Sequence, residues 1–159
     1  MEKELPVVSY EQFMEFGPCW ADDEQGRRRL QYYRRKLVGK ANAMDILRLR
    51  RVSVEDRLWA VLREEFIPAA ILHEFACRCA EKALELVPNP DPRSVEAIEA
   101  KRKWLRGEIT DDELAAARDA VSAAARDAVC DAAWDAARDA ARRNQVNMLI
   151  DLLKEEGYA

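Results

Sequence analysis

The sequence predicts an all-α fold: a compact bundle of about seven helices with a long Ala-rich C-terminal helix, bent or broken near Asn144. Three observations predict it. No stretch alternates apolar and polar residues with period two over a useful length, so no strand is expected. Helix-start chemistry recurs along the chain and is repeatedly followed by Gly or Pro stops. Glu113 to Arg143 reads as four-residue units ending mostly in Ala (ELAA, ARDA, VSAA, ARDA, VCDA, AWDA, ARDA), and Ala and Arg are good helix formers.

Ser9-Tyr-Glu-Gln12 is a capping box that opens a short helix with Tyr10, Phe13, Met14 and Phe16 on one side, stopped by Gly17-Pro18. Asp22 or Asp23 caps a second helix to about Val38, with Leu30, Tyr33 and Leu37 on one face, and Gly39 ends it. Asn42 caps a third, Ala43 to Arg50, carrying Met44, Ile46 and Leu47. Ser53 starts a fourth, bulky at Leu58, Trp59, Val61 and Leu62.

Pro68 suits the first turn of a fifth helix, because its missing amide has no helical partner to lose. That helix is expected to run to Val87. Its wide apolar face (Ile71, Leu72, Phe75, Ala76, Cys79, Ala80, Ala83, Leu84, Val87) predicts a central position. Pro88-Asn-Pro90 is a firm linker. Asp91 and Pro92 then start a sixth helix with Val95, Ile98, Trp104 and Leu105 facing inward, ended by Gly107. Thr110-Asp-Asp-Glu113 is a second capping box and opens the Ala-rich helix. Val146 to Glu156 supplies a last segment with Met148, Leu149, Leu152 and Leu153.

The tetrads carry a geometric consequence. Four residues turn a helix by about 400°, so the Asp stripe rotates by about 240° over six units and no flat partner can keep it in water throughout. Residues 111 to 143 would span about 50 Å, against a domain diameter of roughly 40 Å for a chain of this length. Hence the break or bend expected near Asn144. The row Asp127, Asp131, Asp135, Asp139 is a like-charge i,i+4 series, unfavourable by a few tenths of a kcal/mol per pair unless arginines face it.

A chain of 159 residues, 49% apolar and 35% charged, is expected to be one all-helical domain, residues 1–159. Its formal charge of −4 is unevenly spread: −6 over residues 1–26, +9 over 27–63 and −7 over 64–159. The start MEKELP is too charged for a signal peptide and no apolar run approaches a membrane span, so a cytoplasmic location is expected. Cys19, Cys77, Cys79 and Cys130 then read as reduced thiols.

His73 and Cys77 stand four apart with Cys79 close by, but His73 is the single histidine and Cys77 and Cys79 point about 200° apart. Packed thiols are the expectation, with no metal and no cofactor. The many carboxylates lie on solvated helix faces, which give no pocket to separate their pKa values for acid–base work. The sharper signal is Arg27-Arg28-Arg29 with Arg34-Arg35-Lys36, interleaved with Tyr32 and Tyr33 and followed by Arg48, Arg50 and Arg51. Such residues can hold phosphates and stack bases. The plainer reading sets Tyr33 in the core and pairs the arginines with acidic residues of the C-terminal half.

The run Cys77-Arg-Cys79-Ala-Glu81, Asp91-Pro-Arg93, Ala97-Ile-Glu-Ala100 and Trp104-Leu-Arg-Gly-Glu-Ile109, continuing into the Ala-Arg-Asp tetrads, resembles the immunity-protein-like (Imm-5-like) helical family of bacteria and phages. The resemblance covers roughly residues 58–143. It divides the domain into N-terminal helices with the basic segment, 1–57, and an immunity-like helical region, 58–159. It implies a non-enzymatic protein that binds another protein, as an immunity protein neutralising a toxin or as a phage-borne inhibitor of a host defence system. The contact surface expected for that role is the Asp stripe, Asp127, Asp131, Asp135 and Asp139, if exposed, or the basic 27–51 region. The alternative is a nucleic-acid-associated protein using Arg27, Arg28, Arg29, Arg34, Arg35 and Lys36 within segment 27–51.

Overall fold

The computed structural model describes residues 3–18, 21–125 and 134–158, with side chains described outside 121–140. The fold is mostly helical. The elements run β1 (Val8–Ser9), α1 (Tyr10–Glu15), α2 (Glu24–Lys36), β2 (Lys40–Ala41), α3 (Ala43–Leu47), α4 (Val54–Val61), α5 (Ala69–Leu84), α6 (Pro92–Leu105), α7 (Asp111–Ala125) and α8 (Trp134–Glu155).

The predicted caps are where the sequence places them. Ser9 and Gln12 exchange hydrogen bonds at the start of α1, and Asn42 and Asp45 do the same at α3. Asp23 caps α2, Ser53 caps α4, and Asp91 caps α6 with Pro92 in its first turn. At α7 the Thr110 amide donates to Glu113 Oε2 at 2.8 Å, and the Glu113 amide donates back to Thr110 Oγ1 at 3.3 Å.

Four expectations need correction. A strand pair is present: Val8–Ser9 lies antiparallel to Lys40–Ala41, with Val8 opposite Ala41 and Ser9 opposite Lys40. Two residues per strand are too few for period-two patterning to register. Next, α8 passes through Asn144 without interruption, so the segment predicted at Val146 belongs to the helix that carries the end of the tetrads. Asn is only a mediocre helix former, and its cost of well under 1 kcal/mol is too small to end a helix that packing supports. Between α7 and α8 the tetrads lie outside the described residues. Third, two helices end early: α3 stops at Leu47 instead of Arg50, and α5 stops at Leu84 and leaves Val87 exposed. Fourth, Val95 on α6 is exposed rather than inward.

The chain forms two compact units, residues 1–68 with 153–159, and residues 69–152. In the first, α3 packs on α4, and the core is dense with large apolar side chains: Met44, Leu47, Val61, Phe66 and Ile67 are all but fully buried. Each such residue contributes roughly 1.5–3 kcal/mol by leaving water. The β1–β2 pair sets the local arrangement, since the Tyr10 amide donates to the Gly39 carbonyl at 2.7 Å and brings the start of α1 beside the end of α2. Val38 and Gly39 both take left-handed backbone there, with φ of 54° and 74°. In the second unit α6 packs against both α5 and α7. Among the described residues no helix is long and apolar enough to cross a membrane.

Candidate partner surfaces

The basic helix α2 has an inner and an outer side, as its spacing predicts. Leu30 and Tyr33 are buried, while Arg27, Arg28, Arg34, Arg35 and Lys36 are exposed and Arg29 is half-buried. Where these arginines are paired, their partners come from the acidic N-terminal stretch. Arg34 donates to Glu11 at 2.9 Å and lies 4.6 Å above the Tyr10 ring. Arg28 pairs with Glu24 one turn back, and Arg27 donates to the Asp22 carbonyl at 3.0 Å. The strand pair explains the first contact, because it places α1 alongside the C-terminal turn of α2. Arg29, Arg35 and Lys36 have no ion-pair partner among the described residues. Tyr32 remains exposed with its ring edge-on to Tyr33 at 5.1 Å.

The second unit is knit together by residues of the Trp-Leu-Arg-Gly-Glu block and the arginine just before it. Gly107 takes φ of 72° after the last turn of α6; its amide donates to the Trp104 carbonyl, and that of Glu108 to the Lys103 carbonyl. This is the Schellman arrangement, for which glycine is best suited. Trp104 then ties α6 to two other helices. Its Nε1–H donates to Asp111 of α7 at 2.7 Å, its ring meets His73 of α5 edge-to-face at 5.7 Å, and Lys101 Nζ lies 3.8 Å from its centroid.

Beside it, Arg102 reaches from α6 to two carboxylates on α5. It donates to Glu74 at 3.0 and 3.1 Å and forms a bidentate contact with Glu81. Glu74 also accepts from Arg78 at 3.1 Å. Hydrogen bonds from Arg102 hold both Glu74 and Glu81 below the usual glutamate range, and the two carboxylates, Glu81 first, raise the Arg102 pKa further above its ordinary value. Glu74 and Glu81 stand seven apart, two turns of one helix face, which is the sequence signal for a shared partner. The partner's identity was not legible, because α6 offers Arg93, Lys101, Arg102, Lys103 and Arg106 without marking one.

Cys77 is buried and Cys79 half-buried, and burial raises both thiol pKa values, so neither is an activated thiolate. His73 is engaged by Trp104 instead of standing beside a set of ligands. Among the described residues no group of three or more His, Cys, Asp or Glu side chains gathers to hold a metal.

The Asp stripe falls largely outside this description. Asp127 and Asp131 are not among the described residues. Asp135 and Asp139 lie on α8 at positions whose side chains are not described. Asp119, earlier in the tetrads, is exposed on α7.

No curated protein and no solved structure matches the chain. The segment carrying the Trp104 clasp and the Arg102 cross-link is the one that matches a known family. Residues 68–144, just under half the chain and most of the second compact unit, match the family described as Imm-5 like putative immunity protein.

Proposed function

We propose that the protein is non-enzymatic and cytoplasmic, and acts by stoichiometric binding of another protein, as an immunity protein that neutralises a toxin. The observation that carries this reading is the family match over residues 68–144, together with the near coincidence of that segment with one compact unit. The unit's polar groups support it. Arg102, Glu74, Glu81, Trp104 and Asp111 are engaged in joining α5, α6 and α7, while other charged side chains such as Glu99 and Asp119 stand exposed for recognition. A phage-borne inhibitor of a host defence system would act by the same kind of binding.

The test is co-expression with the product of the neighbouring gene in a sensitive bacterium. Restored growth and a stable complex of fixed stoichiometry on size-exclusion chromatography are expected. No complex and no rescue with any neighbouring product overturns the reading.

A second reading rests on the exposed side of α2, where Arg35 and Lys36 have no ion-pair partner among the described residues and Tyr32 is open to solvent. On that reading Arg27, Arg28, Arg29, Arg34, Arg35 and Lys36 bind nucleic acid through phosphates. Affinity for random duplex must then fall steeply, by roughly a factor of ten or more, between low and moderate salt. Affinity that is flat with salt removes it.

A further inference from the structure

We infer that the groove between the end of α5 and the first half of α6 is the docking site for a cationic amphipathic segment of the partner protein. This rests on the protein-binding reading above and names the surface and the partner chemistry. The groove is open to solvent and has a volume of about 470 Å³. Leu84, Pro90, Val95 and Ile98 form its apolar lining, with Glu81, Glu85 and Glu99 around it and Arg102 at one side.

Val95, which lines the groove, is 43% exposed, and Leu86 at 78% and Val87 at 49% stand exposed in the adjoining turn. These are three of the seven exposed large apolar residues among those described. Clustering of that kind marks an interaction surface, whereas single exposed apolar residues are ordinary. The turn is also stiff: Pro88 and Pro90 restrict the backbone on either side of Asn89, which is held at φ of 55°. A surface already fixed in shape loses little conformational freedom when a partner arrives.

Charge selects the occupant. Arg102 is committed to Glu74 and Glu81 and cannot neutralise the remaining rim. Glu85 is held only by Lys82, in a pair with both side chains about 60% exposed. Glu99 has no ion pair among the described residues. The rim is therefore net negative. A segment with apolar anchors flanked by Lys or Arg satisfies floor and rim together, as an amphipathic helix laid in a groove does. A nucleic-acid backbone would meet repulsion.

The experiment titrates the ¹⁵N-labelled full chain with a 14-residue Leu/Lys amphipathic peptide, its Leu/Glu counterpart and a 20-base-pair duplex. The Leu/Lys peptide is expected to shift amides within residues 81–102 saturably, and the other two are expected to leave them unmoved. Val95→Glu should weaken that binding at least tenfold, and Glu85→Lys with Glu99→Lys should exchange the preference between the two peptides. All three positions are at the surface, and retained spectral dispersion confirms folding of each variant. Shifts centred elsewhere, duplex-induced shifts in the groove, or unchanged affinity in folded variants overturn the proposal. Growth rescue by the wild type that survives all these substitutions also overturns the docking site and leaves the immunity reading standing. Absence of rescue by the wild type removes that reading, and the titration is still decided on its own result.

Discussion

The buried core of residues 3–68 and the α5–α6 layer of the second unit are held by different chemistry, although Leu114, Val146, Leu149 and Leu152 are buried elsewhere in that unit. Residues 3–68 enclose Met44, Leu47, Val61, Phe66 and Ile67 almost without exposure. Across α5 and α6 the described buried side chains are Ile71, Phe75 and Cys77, and α6 has no buried residue at all. Its attachment to α5 runs through Arg102, its attachment to α7 through Trp104 and Asp111. Small alanines remove little surface from water, so polar cross-links carry more of the specificity there than in the first unit. Apolar burial is indifferent to pH and salt to first order, whereas ion pairs respond to both. The core of the first unit and the α5–α6 layer should therefore fail under different insults.

The largest effect expected is in the first unit. Leu47→Ala removes a fully buried side chain and should cost about 3 kcal/mol, read as a fall in the denaturant midpoint with little change in slope. The same loss at acid and neutral pH would confirm that apolar packing dominates there.

Arg102→Met tests the other unit. It strips Glu74 and Glu81 of their main partner, and a cost of about 1–2 kcal/mol is expected, since the Arg102 side chain is 28% exposed and solvent recovers part of the loss. Hydrogen exchange of the α6 amides reads it directly. The pH dependence has a fixed sign. Glu74 and Glu81 have folded pKa values below the unfolded one, so their contribution is fully present above the usual 4.5 and is lost as pH falls through the lowered values. Protection of α6 should thus decline in acid, and Arg102→Met should flatten that decline. An unchanged acid profile in the variant would remove the cross-link from the account.

A smaller effect of opposite sign is expected at Val38, a β-branched residue at φ of 54° whose side chain is 83% exposed. Left-handed backbone costs such a residue about 1–2 kcal/mol, and glycine gives back about 0.5–1 in chain entropy. Val38→Gly should therefore stabilise the first unit by about 0.5–1 kcal/mol, seen as a rise in melting temperature of a few degrees. Lys82→Ala breaks a solvent-exposed pair with Glu85 and should change stability by no more than about 0.3 kcal/mol in a thermal melt.

Much of the helical plan could be read ahead of the structure because caps are local. Ser9, Asn42, Ser53, Asp91 and Thr110 each act on an amide within three residues. The misses were non-local. The strand pair joins residues about thirty apart, and continuity through Asn144 depends on a small propensity cost that packing outweighs. Val87 and Val95 carry the right periodicity for a core and are nonetheless exposed, because periodicity reports a face and not whether anything covers it. The Asp127–Asp139 row was conspicuous in the sequence, yet the groove found on α5 and α6 is built from residues that looked like ordinary core and ordinary charge.

By itself the sequence determined the all-α class, where helices start, and the resemblance of its central segment to an immunity-protein family. Those follow from short-range hydrogen bonding, from side-chain period and from a distinctive five-residue block. Tertiary structure alone decided which arginine bridges Glu74 and Glu81, what Trp104 clasps, and which apolar residues stay in water. Each of these depends on which helices come to lie side by side, and that is set by packing between segments far apart in the chain.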